Sequence, residues 1–343
     1  MRRPVHIAGF AQLPQVDQDN HLDEAEMVRL VTAEALAMAG LSREEVGFTC
    51  SGSSDYAMGR PFSFTLALDG VGPVPPIRES HVESDGAWAM VEAAIRLQHG
   101  DVDVALVYCY GKSTLGDIDR VMSMQLDPYT EAPLMPPPMA LAALQAQALV
   151  DSGRHTERDF AEVVSAALEA SGRNPNVPTH ATRSVEELLQ QPRTFAPLRA
   201  HDAPYRTDGA AAMVLIVGGG GPRISGLDHR IEPMSLGLRS LCVSRSASLA
   251  AEAAGGCAGV EVAELHAPYS PQALILAEAL GLPEGMDLAP TGGSLAADTP
   301  MASGLIRIGE AAAHVRAGAK KAVATATAGP CLQQNLVCVL EAE

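Results

Sequence analysis

The feature that most constrains this chain is an internal repeat. Gly86 to Gly111 aligns without a gap on Gly304 to Gly329, 218 residues later. Gly86 meets Gly304, Glu92-Ala93-Ala94 meets Glu310-Ala311-Ala312, Gly100 meets Gly318 and Gly111 meets Gly329. Each copy reads as a helix that stops at a glycine and feeds an apolar strand, Val102 to Tyr108 in the first copy. Two such units in one chain predict a duplicated α/β protein of layered sheets and helices. Around them, Val5 to Phe10 reads as a strand and Leu22 to Ala39 as a helix stopped by Gly40. Thr156 to Ala170 reads as a helix with Glu157 and Asp159 in its first turn. Asp127 to Val150, with Pro136-Pro137-Pro138, reads as a loop or cap insertion.

Composition narrows the function classes. The chain has 343 residues, about two domains' worth, and 47% are hydrophobic, which excludes a disordered or coiled-coil protein. A net charge of −17 repels phosphate backbones and anionic membrane surfaces, so no nucleic-acid partner is expected. The six cysteines form no CxxC pair, so neither a zinc site nor a disulfide scaffold is expected. Met139 to Val150, the longest mostly apolar stretch, is too short to span a bilayer, and no signal peptide is evident. The reading is a cytoplasmic protein without membrane insertion.

The two helix–strand units and four motifs resemble the thiolase superfamily, in particular its lipid-transfer-protein branch related to sterol-carrier-protein thiolase. The resemblance covers nearly the whole chain. It implies a thiolase-like five-layered αβαβα fold of two similar halves with buried helices. The halves would be 1–225, with a loop or cap insertion at about 113–200, and 226–343.

Thiolases place a nucleophilic cysteine in a Cys-Ala-Ser-Gly run at the start of a buried helix, where the helix end favours the thiolate. Here the run is Glu83-Ser84-Asp85-Gly86. Glu83 stands at the nucleophile position and Asp85 at the adjacent serine. The family's Gly-His-Pro motif falls on Asp298-Thr299-Pro300, after Gly292-Gly293, so its histidine is gone too. The Asn-Glu-Ala-Phe motif, which helps hold the thioester oxyanion, becomes His266-Ala267-Pro268-Tyr269, and Cys331 in Gly329-Pro330-Cys331 matches the second cysteine, the acid or base at the α-carbon.

The lost groups belong to covalent acyl transfer, and the kept or modified ones to enolate chemistry. Retro-aldol cleavage needs an enolate and a base for the β-hydroxyl proton, but no acyl-accepting nucleophile. The resemblance therefore implies retro-aldol cleavage of a bulky, steroid-like β-hydroxyacyl-CoA. Thiolase or acyltransferase chemistry on Cys331, or an inactive structural or lipid-binding subunit, are the alternatives. The candidate base is Tyr269, His266, Glu83 or Asp85, and Cys331 could protonate the enolate. Two acids side by side in a buried site would raise one pKa. Lys112, Tyr110, Gly293, Asp298 and Thr299 are candidate substrate-binding residues. No metal and no cofactor is expected, with the CoA thioester as substrate. Arg2-Arg3 and Lys320-Lys321 are the only adjacent basic pairs, which leaves the CoA phosphates to a partner chain. The expected assembly is a homodimer, or a hetero-oligomer with an OB-fold acyl-CoA-associated protein.

Overall fold

The repeated glycines are where the architecture is tightest. In the computed structural model, which describes residues 3–72 and 78–343, the two repeat helices, Gly86–His99 and Ser303–Arg316, lie side by side in the middle of the molecule. A methyl group on Gly86 would meet the Cys109 Sγ at 2.5 Å, and one on Gly304 would meet the Ala326 Cβ and an Asp85 oxygen at 2.6 Å. The helix starts can approach so closely only without side chains. Gly100 leaves the first helix at φ 91° and Gly318 follows the second at φ 119°, the left-handed exit expected of a glycine stop.

Eleven strands are present among the described residues: β1 (Val5–Gln12), β2 (Phe48–Gly52), β3 (Glu79–Val82), β4 (Val104–Gly111), β5 (Arg193–Phe195), β6 (Leu198–Arg199), β7 (Gly209–Val217), β8 (Arg223–Ile231), β9 (Val262–Glu264), β10 (Lys321–Ala328) and β11 (Gln334–Glu341). Nine form a continuous run, β3-β2-β4-β7-β1-β8-β11-β10-β9. That run is two sheets touching through a single pairing, His6 with Arg223. In the first sheet, β7 runs antiparallel to β1 and β4, and β4 is parallel to β2. In the second, β11 runs antiparallel to β8 and β10, and β10 is parallel to β9. Reading β1, β7, β4, β2 against β8, β11, β10, β9 gives the same topology twice. The first sheet gives way to the second across Gly218–Pro222, between β7 and β8.

Three apolar clusters separate the layers. One lies between the sheets, built on Ala87, Met90 and Ala93 from the first central helix and Leu305, Ile308 and Ala312 from the second. A second packs helix Glu24–Ala39 on the outside of the first sheet through Met27, Val31 and Ala35. A third packs helices Arg245–Ala253 and Ser270–Leu280 outside the second sheet through Ala247, Ala250 and Leu276. Helix, sheet, helix, sheet, helix is the five-layered order.

Between β4 and β7 lies the long segment that has its counterpart, between β10 and β11, in the short turn Gly329–Gln333. Asp127 to Val150 is not all loop. Pro138 opens a helix that runs to Asp151, because proline at the first helical position needs no amide partner. Glu157–Ser171 is helical behind Thr156, as the acidic first turn predicts.

Candidate active site

A cavity of about 350 Å³ opens where the two central helices begin. Its lining comes from Glu83–Asp85, the stretch after β9 (His266, Pro268, Tyr269, Gln272), the end of β10 with the turn to β11, and Arg206 with Asp298. Ile118, Val121, Met122, Pro138 and Leu141 of the inserted segment line it too. All five residues expected to carry the chemistry border this one space, but they are not equivalent.

Asp85 is a keystone between the repeats. Its carboxylate accepts the Ala87 amide at 2.8 Å, the Gly304 amide at 2.9 Å and the Leu305 amide at 3.1 Å, so it caps both central helices at once. Burial pushes its carboxyl up, against the pull of His266 and of these three amides. Glu83, at the nucleophile position, stands apart: its side chain is half exposed, accepts the Asp55 amide at 2.9 Å and faces His81 at 3.3 Å. The expected coupling of two buried acids is therefore absent. Asp85 is raised by burial and Glu83 sits at the rim.

His266 is fully engaged. The Thr327 amide donates to Nδ1 at 3.1 Å, so the ring proton sits on Nε2, which faces Asp298 Oδ1 at 3.3 Å. With both nitrogens occupied, the ring orients Asp298 rather than presenting a free donor to the cavity. Asp298 also pairs with Arg206. Burial opposes its ionisation, but Arg206 and His266 outweigh it and hold the carboxyl at about 2.

Tyr269 precedes helix Ser270–Leu280, and its side chain makes no capping bond to that helix. The buried phenol is left to the cavity among Arg206, Asp298 and Cys331. Burial pushes it well above the ordinary tyrosine range, and Arg206 pulls the other way. Cys331 has its Sγ 3.6 Å from the Leu141 carbonyl. Burial raises the thiol to about 12, with Arg239 pulling it down. Cys331 and Leu332 both hold left-handed backbone, φ 52° and 60°, which is uncommon for residues with side chains.

Four of the five residues expected to bind substrate lie elsewhere. Lys112 is buried and spends its ammonium on the Leu22 carbonyl at 2.7 Å. Tyr110 donates to the Ser63 carbonyl at 2.7 Å. Thr299 is locked to Thr207 and Gln15, and Gly293 starts a short helix at φ 57°. Lys112, Tyr110 and Thr299 are each held by a side-chain hydrogen bond to a residue distant in sequence, which adjacency does not reveal. Only Asp298 reaches the cavity. Lys321 of the basic pair bonds the Ala258 carbonyl, Arg3 is tied to Leu97 and Asp103, and Arg2 lies outside the described residues.

Sequence reading missed Arg206, the guanidinium on the cavity wall. It stands just before β7, at an isolated bridge with Asp298, and no motif in the sequence marks it. Among the described residues, no group of three or more metal-ligating side chains converges, and no helix is long and apolar enough to cross a membrane.

No protein-family profile matches the chain, and no curated protein matches it significantly. Solved structures do. Human mitochondrial 3-ketoacyl-CoA thiolase superposes with a TM-score of 0.79 at 16% identity over 99% of both chains. The same enzyme in complex with CoA gives a TM-score of 0.78 at 16% identity over 99% of this chain and 98% of that one. The Ltp2-ChsH2(DUF35) aldolase gives 0.77 at 17% identity over 99% and 98%. The chain has the thiolase fold.

Proposed function

We propose that this chain is a thiolase-superfamily enzyme of the lipid-transfer-protein branch that cleaves a carbon–carbon bond in a CoA thioester by retro-aldol chemistry, without an acyl-enzyme. The observation that carries this reading is the seat of Asp85. The helix ends that would stabilise an attacking thiolate are already filled by a carboxylate with three amide bonds. The remaining cavity thiol, Cys331, stays protonated, which suits an acid and not an acyl acceptor.

In this reading the substrate is a β-hydroxyacyl-CoA. Tyr269, as the phenolate beside Arg206, takes the β-hydroxyl proton. The Cα–Cβ bond breaks, the β-carbon leaves as a ketone or aldehyde, and the electron pair passes into the thioester enolate. Arg206 offers positive charge to the enolate oxygen. Cys331 protonates the α-carbon, and Tyr269 then returns its proton to Cys331. One proton leaves the hydroxyl, one reaches carbon, and the residues are restored. Apolar side chains such as Ile118, Val121, Met122 and Leu141 suit the reacting end of a bulky, steroid-like acyl group, and 350 Å³ falls within the ordinary range of ligand cavities. The chain needs no cofactor in this scheme.

The Ltp2-ChsH2(DUF35) aldolase pairs a chain of this fold with a DUF35 partner. We extend that arrangement here: a DUF35-type, OB-fold partner supplies basic groups for the CoA phosphates. The test is co-expression with such a partner, incubation with a bulky β-hydroxyacyl-CoA and mass spectrometry of the products, with Tyr269→Phe, Glu83→Gln and Cys331→Ala in parallel. A shorter acyl-CoA plus a carbonyl compound, abolished by Tyr269→Phe and retained by Glu83→Gln, is the expected result. Acyl transfer from a β-ketoacyl-CoA that disappears in Cys331→Ala would replace this reading with an acyltransferase.

A further inference from the structure

The turn that carries Cys331 is held on both sides of the thiol: Asn335 donates to the Leu332 carbonyl at 2.8 Å, and one guanidinium holds the two carbonyls before it. Arg239 donates through Nη1 to the Cys331 carbonyl at 2.7 Å and through Nη2 to the Pro330 carbonyl at 2.5 Å. Its Nε is buried without a hydrogen-bond partner. Among the described residues, no carboxylate lies within ion-pair distance of this guanidinium, so its two carbonyl bonds are its main engagement. A planar fork spanning two successive carbonyls fixes their relative direction, which a single-point ammonium cannot do. The clamped residues include Cys331, the first of two neighbours in left-handed backbone, a conformation that persists only where surrounding contacts hold it.

The stretch just before Arg239 is anchored to the inserted segment. Glu131 accepts the Leu236 amide at 3.0 Å and the Ser235 hydroxyl at 3.3 Å. Leu126, Leu141, Leu236 and Leu241 pack in one cluster with Cys331. A continuous path therefore runs from Glu131 through Leu236 and Arg239 to the Cys331 turn.

We propose that Arg239 is a positioning residue: by clamping the Pro330 and Cys331 carbonyls it seats the Cys331 thiol against the cavity, and through Glu131 it makes that seat depend on the inserted segment. The inference rests on the reading that Cys331 serves the carbon–carbon cleavage site, but its test does not require turnover. Iodoacetamide labelling of Cys331 is followed by peptide mass spectrometry from pH 7 to 10 in the wild type, Arg239→Gln, Arg239→Lys and Glu131→Ala. Cys338, fully buried in β11, reports global opening in the same samples.

Removing the guanidinium alone would make the thiolate scarcer. Releasing the turn would solvate the thiol and bring it toward ~8.5, the ordinary value. Because burial is the main cause of its high pKa, release dominates. Cys331 labelling at pH 9 is expected to rise at least about tenfold in Arg239→Gln, less in Arg239→Lys and in Glu131→Ala, with Cys338 unchanged. Labelling equal to the wild type in Arg239→Gln, or a rise matched by Cys338, overturns the proposal. If the labelling pattern holds while no β-hydroxyacyl-CoA is cleaved, the clamp stands and the proposed reaction falls.

Discussion

Tyr269 and Asp298 share one cavity and one guanidinium, yet their environments drive them in opposite directions. Burial keeps the Tyr269 phenol protonated at neutral pH, so its phenolate becomes roughly tenfold more abundant with each pH unit below its raised pKa. The cleavage scheme needs that phenolate, so kcat/KM should climb with unit slope from pH 7 to at least 9. A profile that is flat over this range would remove Tyr269 from the role of base. Tyr269→Phe should lower turnover by about 10²- to 10⁴-fold with little change in melting temperature, since the side chain caps nothing. For Asp298 the sign runs the other way. Its folded pKa, about 2, lies below the ordinary 3.8, so its ionised form adds stability above pH ~4 that is lost as pH falls through 2. A depression of this size corresponds to roughly 2–3 kcal/mol. Denaturant unfolding of the wild type and Asp298→Asn should show a gap of that order at pH 6 that narrows toward pH 3. A gap independent of pH would mean that the Arg206–Asp298 pair adds no net electrostatic stabilisation.

At the scale of elements, much was legible because periodicity and glycine placement are local signals. Gly86, Gly100 and Gly111, read against Gly304, Gly318 and Gly329, located both central helices and the strands that follow them. Gly40, at φ 67°, ended helix Glu24–Ala39 where expected. What stayed hidden depends on contacts between distant segments. Asp85 looked like an altered catalytic group because the Gly304 and Leu305 amides, which it binds, lie more than two hundred residues away. Lys112 and Tyr110 looked like ligands because nothing nearby in sequence announces the Leu22 and Ser63 carbonyls that occupy them. Arg206 was missed for the converse reason, since its partner Asp298 lies on a different segment. The helix junction yields its own prediction. Gly304→Ala would drive a methyl group to 2.6 Å from Asp85 and Ala326, and Gly86→Ala one to 2.5 Å from Cys109. Each should cost about 1–3 kcal/mol of stability by overpacking, seen as a lowered melting temperature. An unchanged melting temperature in both would mean the central helices can part without loss.

For the molecule as a whole, the duplication explains where the cavity lies. Two copies of one helix–strand unit meet at their helix starts, and the connections after β4 and β10 both reach that junction. In one half the connection is the inserted segment, which lines the cavity with apolar side chains. In the other it is the turn carrying Cys331. The chain thus has the thiolase fold, with both central helix starts capped by Asp85. The most direct test of the central claim, cleavage without an acyl-enzyme, is intact-mass analysis of the protein quenched during turnover of a β-hydroxyacyl-CoA, with and without added free CoA. Equal amounts of shorter acyl-CoA and carbonyl product are expected, with no need for free CoA and no acyl mass on the protein. An acyl adduct on Cys331, with cleavage that requires free CoA, would contradict it.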